Sequence, residues 1–103
     1  MIIDSLRSKL IEMQKSKAEV EVSTLRLLIS ELKNKEIALK GEGKELSSED
    51  EFRIIKKQIK NRNESIPMYE KGGRLETAEK EKKELAFLEV LMKELFPNEV
   101  SNQ

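Results

Sequence analysis

Apolar residues recur every three or four positions through most of this chain of 103 residues, and that period is the signature of helices with one buried face. Ile3, Leu6 and Leu10, for example, follow one another at steps of three and four. Only four glycines and two prolines interrupt the pattern, aromatic residues make up 4% of the chain, and charged residues make up 39%. This balance is typical of long solvated helices and argues against a sheet-rich fold.

The first half of the chain divides into two predicted helices and a loop. The first helix carries its apolar stripe over residues 3–13, with Asp4 or Ser5 as its N-cap. The second carries a wider stripe of leucines and ends near Gly41, because residues 41–48 contain two glycines and no apolar period. Ser47 or Ser48, followed by three acidic residues, is typical of the N-cap of a third helix.

The second half predicts a helical hairpin. Gly72 and Gly73 close the third helix, and the fourth runs from about residue 75 to residue 95, where Pro97 stops it. A connection this short fits only an antiparallel pair. Pro67 lies inside the third helix, and we expect it to kink that helix without ending it, because the apolar stripe keeps its phase.

We therefore expect an all-α fold of four helices, in which the last two form a long antiparallel hairpin and the first two pack against it. The length favours one domain over residues 1–96, followed by a C-terminal tail over residues 97–103. No apolar run approaches the roughly 20 residues of a membrane span, and the first 15 residues lack the apolar core of a signal peptide. A soluble cytoplasmic protein is expected.

The composition removes most familiar active sites. The chain contains no cysteine and no histidine, so thiol chemistry, imidazole bases and the usual zinc ligands are excluded, and we expect no metal or cofactor. Its carboxylates alternate with lysines, as in residues 79–84, which is typical of a solvated helix face. The sequence therefore predicts no catalytic residues of its own.

Charge is balanced overall but not locally. The chain has 20 basic and 20 acidic residues, yet residues 51–74 carry seven basic and three acidic side chains, whereas residues 75–103 carry four and seven. Helical geometry places four of these cations in one arc opposite the apolar stripe, with a fifth near the turn. This predicted basic face consists of Arg53, Lys57, Lys60, Lys71 and Arg74. Two readings stay open: lysines that serve solubility, and a surface for an anionic partner.

Two further charges lie on the apolar stripes themselves. Arg62 shares a helix face with Ile59 and Ile66, and Glu81 shares one with Ala78. Counted outward from the glycine turn, the two charges fall at nearly the same level of the hairpin. We expect Arg62 and Glu81 to form a structural ion pair that fixes the register of the two helices.

Residues 24–28 (TLRLL) followed by residues 33–37 (KNKEI) resemble the first signature of the YqeY family. Residues 60–66 (KNRNESI), 69–74 (YEKGGR) and 79–85 (EKEKKEL) resemble the second, which reads K-Q-R-x-E-S-I, F/Y-E-K-x-G-R and E-K-E-x-x-E-I. The resemblance spans about residues 1–92.

The resemblance implies a function in translation. The family is related to the tail of GatB, a subunit of the tRNA-dependent amidotransferase, and that tail contacts tRNA. The implied label is carbon–nitrogen ligase with glutamine as amido-N-donor, although the catalytic parts of that enzyme lie in other domains and subunits. The implied partners are tRNA and an aminoacyl-tRNA synthetase or amidotransferase subunit.

The chain departs from the family pattern at Pro67, Asn61 and Lys93, and the family's small C-terminal lobe is expected to be absent. The leading hypothesis is an accessory tRNA-binding module without an active site. The alternative is a non-catalytic helical module for protein interaction or structure, in which a partner docks on the wide stripe of the second helix.

Overall fold

The computed structural model describes residues 2–101 of the chain, and these residues contain helices and no strand. The helices are α1 (Ile2–Lys15), α2 (Glu19–Gly41), α3 (Ser48–Lys71), α4 (Leu75–Leu95) and α5 (Pro97–Ser101). The all-α class is therefore confirmed. The chain divides into two compact units, residues 1–54 and residues 55–103.

In the first unit α1 and α2 pack against each other. Their fully or almost fully buried apolar side chains are Ile3, Leu6, Leu25, Leu28 and Leu32. These residues recur at helical spacing, so the apolar stripe read from the sequence is the buried face. Thr24 is also buried, and its hydroxyl donates a hydrogen bond of 2.7 Å to the carbonyl of Val20.

The start of α3 is fixed by a capping box. The Asp50 N–H donates to the Ser47 hydroxyl oxygen at 3.1 Å, and the Ser47 N–H donates to Asp50 Oδ2 at 3.0 Å. Each side chain thus satisfies a backbone donor that the first helical turn leaves free. Ser47 is the N-cap, which confirms the first of the two serines predicted for that role.

The start of α1 is capped from a distance. The Ile2 N–H donates a 3.1 Å hydrogen bond to Glu51 Oε2, 49 positions further along the chain. The helix therefore begins before Asp4 and Ser5, and neither of them is its N-cap. A buried carboxylate at this position also suits the positive end of the α1 dipole.

Three helices end in the same local geometry. After α1, α2 and α3 the residues with positive φ are Lys17 (59°), Gly43 (72°) and Gly73 (75°). At each end one N–H donates a hydrogen bond to the carbonyl five positions earlier, as Arg74 does to Tyr69 at 2.8 Å. This is the Schellman motif, and its positive φ explains the glycines that follow α2 and α3.

In the second unit residues 55–71 of α3 and the whole of α4 form the predicted antiparallel hairpin. Contacts across it run in opposite directions along the two helices. Glu70 pairs with Lys82, whereas Arg62, which precedes Glu70 on α3, pairs with Glu84, which follows Lys82 on α4. Helix α3 continues through Pro67 to Lys71, which confirms that this proline does not end it. The buried apolar residues are Ile55, Ile66, Ala78, Leu88, Leu91, Met92 and Phe96.

The structure adds a helix to the four that were expected. Helix α4 does end at Leu95, but Pro97 then begins α5. Proline suits the first position of a helix because its missing N–H would have no intrahelical partner there. Residues 97–101 of the predicted tail are therefore helical, and residues 102 and 103 lie outside the described part of the chain.

Candidate nucleic-acid interface

Three lysines of α3 in the second unit stand in solvent. Lys57, Lys60 and Lys71 are all exposed, and within residues 2–101 none of them has a carboxylate partner. Lys60 and Lys71 are eleven residues apart, which at about 100° per residue brings them within about 20° of each other around the helix. Lys57 falls within about 60° of both. The three ammonium groups thus follow one side of the helix.

Arg74 extends this surface at the end of the hairpin. Its guanidinium carbon lies 5.2 Å from the centre of the Tyr69 ring, which is within the range of a cation–π contact. The contact holds the side chain near the turn while the residue stays exposed. We call Lys57, Lys60, Lys71 and Arg74 the lysine–arginine face.

Arg53, the fifth residue of the predicted basic face, differs from the other four. It belongs to the first unit, and its guanidinium donates to the Glu49 carboxylate at 2.6 Å. Both side chains are 70% exposed, so the pair contributes little to stability, but Glu49 offsets the charge of Arg53. Arg53 is therefore less available to an external anion than the four residues of the second unit.

One acidic residue interrupts the face. Glu64 lies four residues after Lys60 and seven before Lys71 on the same side of α3, and its side chain is exposed. Its carboxylate lowers the positive potential between the two lysines. The face as a whole keeps a net positive charge.

A row of polar contacts joins α3 to α4 behind the lysine–arginine face, and we call this row the polar seam. Arg62 donates to Glu84 Oε2 at 2.8 Å, Ser65 donates to Glu81 Oε2 at 2.9 Å, and Lys82 lies 3.0 Å from Glu70. Arg62 and Glu84 are the most buried of these side chains, at 9% and 14% exposure. The seam holds the two helices at a fixed register.

The predicted ion pair therefore needs a correction. The carboxylate that pairs with Arg62 belongs to Glu84, and Glu81 instead accepts the Ser65 hydroxyl. Glu81 and Glu84 are three residues apart and face the same side of α4. The helical pattern of the sequence therefore allows either carboxylate to pair with Arg62. Sequence reasoning missed Glu84, and the signal for it was the third glutamate of the E-K-E-x-x-E pattern.

Next to this seam lies a buried amide. Gln58 is 2% exposed, and neither its Nε2 nor its Oε1 has a hydrogen-bond partner among the described residues. Arg62 Nε is likewise unpartnered, although its Nη1 donates to the Gln58 backbone carbonyl at 3.3 Å. Buried polar atoms without partners are uncommon and destabilise a fold.

Residues 2–101 contain no group of three or more acidic side chains placed so that they could hold a metal ion. No helix in that part of the chain has the length and apolar character needed to cross a membrane.

Comparison with known families gives an assignment over nearly the whole chain. The family of YqeY-like proteins matches residues 3–103. The chain belongs to the YqeY family. A curated relative, an uncharacterized protein of Schizosaccharomyces pombe, is 33% identical over 97 residues, which cover 94% of this chain and 73% of the relative.

The structure gives a physical reason for the second YqeY signature. Its K-Q-R-x-E-S-I element places Arg62 and Ser65 on the inner side of α3, and its E-K-E-x-x-E-I element places Glu81 and Glu84 opposite them on α4. The Y-E-K-x-G-R element forms the turn, where Gly73 adopts the positive φ. These parts of the signature fix the hairpin, and Lys60, Lys71 and Arg74 stand on its outside.

Proposed function

We propose that this YqeY-like protein is an accessory tRNA-binding module, related to the GatB tail, and that it lacks an active site of its own. The observation that carries the proposal is the lysine–arginine face, where four cations stand along one side of the hairpin and have no carboxylate partner within residues 2–101. Membership of the YqeY family supports tRNA as the anion, since the family is related to a tail that contacts tRNA.

The physics of such a surface favours an RNA backbone. The cations are three lysine ammonium groups on a regular helix and one arginine guanidinium at the turn, and the contacts that such groups make to phosphates carry no base specificity. With only one tyrosine and three phenylalanines in the chain, stacking on successive single-stranded bases is not the main mode of binding. A structured RNA with a continuous phosphate array is the better ligand.

The test is retention of labelled total tRNA by the purified protein over a series of salt concentrations. We expect binding at about 20 mM salt and weak binding at about 150 mM, because three or four phosphate contacts give a log–log slope near −3. Absence of binding even at the lower salt concentration would reject the proposal.

A matched pair of double substitutions tests the face itself. Lys57→Glu with Lys60→Glu should abolish retention of tRNA. Lys80→Glu with Lys83→Glu on α4 makes the same change in net charge and should have little effect, since both lysines are exposed and lie off the face. Lys82 is less suitable as a control, because it bridges Glu70 and Glu79 at 3.0 and 3.3 Å. Equal losses from both double variants would show that the location of the charge does not matter.

Exposed apolar residues of α2 support the alternative function. Leu27 is 47% exposed and Ile37 is 64% exposed, so part of the wide stripe is available to a protein partner. If no tRNA is retained at low salt, a non-catalytic protein-interaction module becomes the better proposal.

A further inference from the structure

A groove runs between α3 and α4 within the second unit. Its volume is about 700 Å³, and Ile59 of α3 and Met92 of α4 line it together with polar side chains. Ile59 is half-buried, and Met92 is 6% exposed. The volume falls within the range of about 300 to 1,000 Å³ that is usual for small-ligand sites.

Cations and an amide surround this apolar lining. Lys56 and Lys60 of α3 and Lys93 of α4 supply three ammonium groups, and Asn63 supplies an exposed amide with two donors and an acceptor. An apolar surface, an amide and ammonium groups match a flat heteroaromatic ring attached to a phosphate. The thioether of Met92 also makes favourable contacts with aromatic rings.

We propose that this groove receives one unpaired nucleobase of a structured RNA, while the adjoining phosphates contact Lys60 and Lys93. This inference rests on the proposed function, since Lys60 belongs to both the groove and the lysine–arginine face. A strand whose phosphates follow that face therefore brings a neighbouring nucleotide to the groove.

Two carboxylates restrict which base is accepted. Glu64 and Glu89 also line the groove, and they repel phosphate but accept hydrogen bonds from exocyclic amino groups. Adenine, cytosine and guanine carry such a group, and uracil does not. The groove should therefore prefer an unpaired amino-bearing base, such as adenine, over uracil.

The decisive comparison uses a fully paired RNA hairpin and the same hairpin with one bulged adenine. We expect the protein to bind the bulged form about tenfold more tightly, the scale of one base contact. A bulged uracil should bind less tightly than a bulged adenine. Equal affinity for all three RNAs would reject the groove while leaving the proposed function intact, whereas loss of binding to all three would reject both.

Methionine methyl signals in NMR spectra report where the base lies. Met92 lines the groove, and Met68 of the same unit is 72% exposed near the turn. We expect the bulged adenine to shift the methyl signal of Met92 through the ring current, with a smaller shift at Met68. A shift confined to Met68 would place the base at the turn and overturn the inference.

A pair of asparagine substitutions separates the groove from the face. Asn63→Ala should remove most of the preference for the bulged adenine and leave affinity for paired RNA unchanged. Asn61→Ala, an equally exposed change two residues away and outside the groove, should keep the preference. Equal effects of the two variants would count against the inference.

Adenosine monophosphate alone distinguishes a nucleotide site from an RNA site. If the free nucleotide shifts the Met92 signal at millimolar concentration, the groove recognises the nucleotide itself, and the bulged RNA gains affinity from the face. If neither the nucleotide nor the bulged RNA moves that signal, the groove does not bind a base. A shift produced only by an added helical peptide would assign the groove to a protein partner and would also reject the inference.

Discussion

Arg62 of α3 donates a 2.8 Å hydrogen bond to the carboxylate of Glu84 on α4, with only 9% and 14% of the two side chains exposed. A charge buried to this extent is stable in the hairpin because the opposite charge lies beside it. Removing one partner leaves the other desolvated and unpaired.

Single and double apolar substitutions should therefore differ in the size of their effect on stability. We expect Arg62→Leu or Glu84→Leu alone to lower the free energy of unfolding by about 3 to 5 kcal/mol, and the double variant to recover most of that loss. Denaturant unfolding of the four proteins measures this coupling. Losses that simply add in the double variant would show that the two side chains do not act as a pair. Ser65→Ala, which removes one hydrogen bond to the Glu81 carboxylate, should cost about 1.5 to 3 kcal/mol.

Gln58 offers a stabilising substitution. Its buried amide has no hydrogen-bond partner among residues 2–101, so the fold bears the cost of desolvating both polar atoms. Gln58→Met keeps the side-chain length and removes these atoms, and we expect it to raise the free energy of unfolding by about 1 to 3 kcal/mol. Gln58→Ala is the control, since it also removes the amide but leaves a cavity and gains less. A destabilised Gln58→Met protein would show that the amide is hydrogen-bonded in solution.

Lys17 occupies a backbone conformation that favours glycine. Its φ is 59°, in the left-handed region where a side chain costs about 1 kcal/mol, and it is exposed. We expect Lys17→Gly to raise the thermal midpoint of unfolding, because it keeps the Schellman motif and relieves this cost. Lys15→Gly, placed in the last helical residue of α1, should lower the midpoint. A decrease with both variants would argue against the positive φ at Lys17.

Two neighbouring carboxyl groups of α3 should respond to pH in opposite directions. Burial raises the pKa of Glu51 above its ordinary value of 4.5, although the hydrogen bond from the Ile2 N–H opposes this shift. The folded state holds this proton more tightly than the unfolded chain, so the contribution of Glu51 to stability falls as the pH rises from 4.5 through the raised pKa. Glu51→Gln should therefore gain stability relative to the wild type over that window.

Asp50 is the internal comparison. Hydrogen bonds from the Ser47 backbone N–H and then from its hydroxyl lower the pKa of Asp50 below 3.8. Its contribution is fully present above that ordinary value and is lost as the pH falls through the lowered pKa. Asp50→Asn should differ most from the wild type at neutral pH and converge with it in acid. Denaturant unfolding at a series of pH values checks both variants. If the stability difference between each variant and the wild type did not change with pH, the raised pKa of Glu51 and the lowered pKa of Asp50 would be contradicted.

Glu64 should weaken RNA binding, since it lies on the same side of α3 as Lys60 and Lys71. We expect Glu64→Gln to increase the affinity for paired RNA about threefold at low salt, through removal of one repulsive charge. Glu45→Gln makes the same change in net charge in the loop before α3 and should have a smaller effect. Fluorescence titration of a labelled RNA hairpin measures both, and equal gains would attribute the effect to net charge alone.

Local chemistry explains why much of the fold was readable from the sequence. The positive φ at Gly43 and Gly73 follows from glycine itself, and the N-cap at Ser47 follows from the acidic residues after it. Lys17 adopts the same positive φ, although lysine has no preference for that conformation, so its residue type gives no indication of it.

Contacts between residues far apart in the chain were harder to predict from the sequence. The choice of Glu84 over Glu81 depends on the register and rotation of two helices, and both carboxylates satisfy the same periodic pattern. The bond from the Ile2 N–H to Glu51 spans 49 positions, and no periodicity connects its ends. The groove likewise arises from α3 and α4 together, so residues such as Asn63 and Met92 carry no sign of it in the sequence.

Pro67 gives the end of α3 a different dynamic character from its middle. Because proline has no N–H, the carbonyl of Asn63 lacks its helical donor, and the last turn is held by one bond fewer than an uninterrupted helix would have. Local opening should therefore begin there, and amide protons after Pro67 should exchange with solvent sooner than those near Arg62. Lys71 and Arg74 follow this weak point, so the tip of the hairpin can adjust to an irregular phosphate array. The contacts of Arg62 with Glu84 and of Ser65 with Glu81 precede Pro67 on α3 and stay closed.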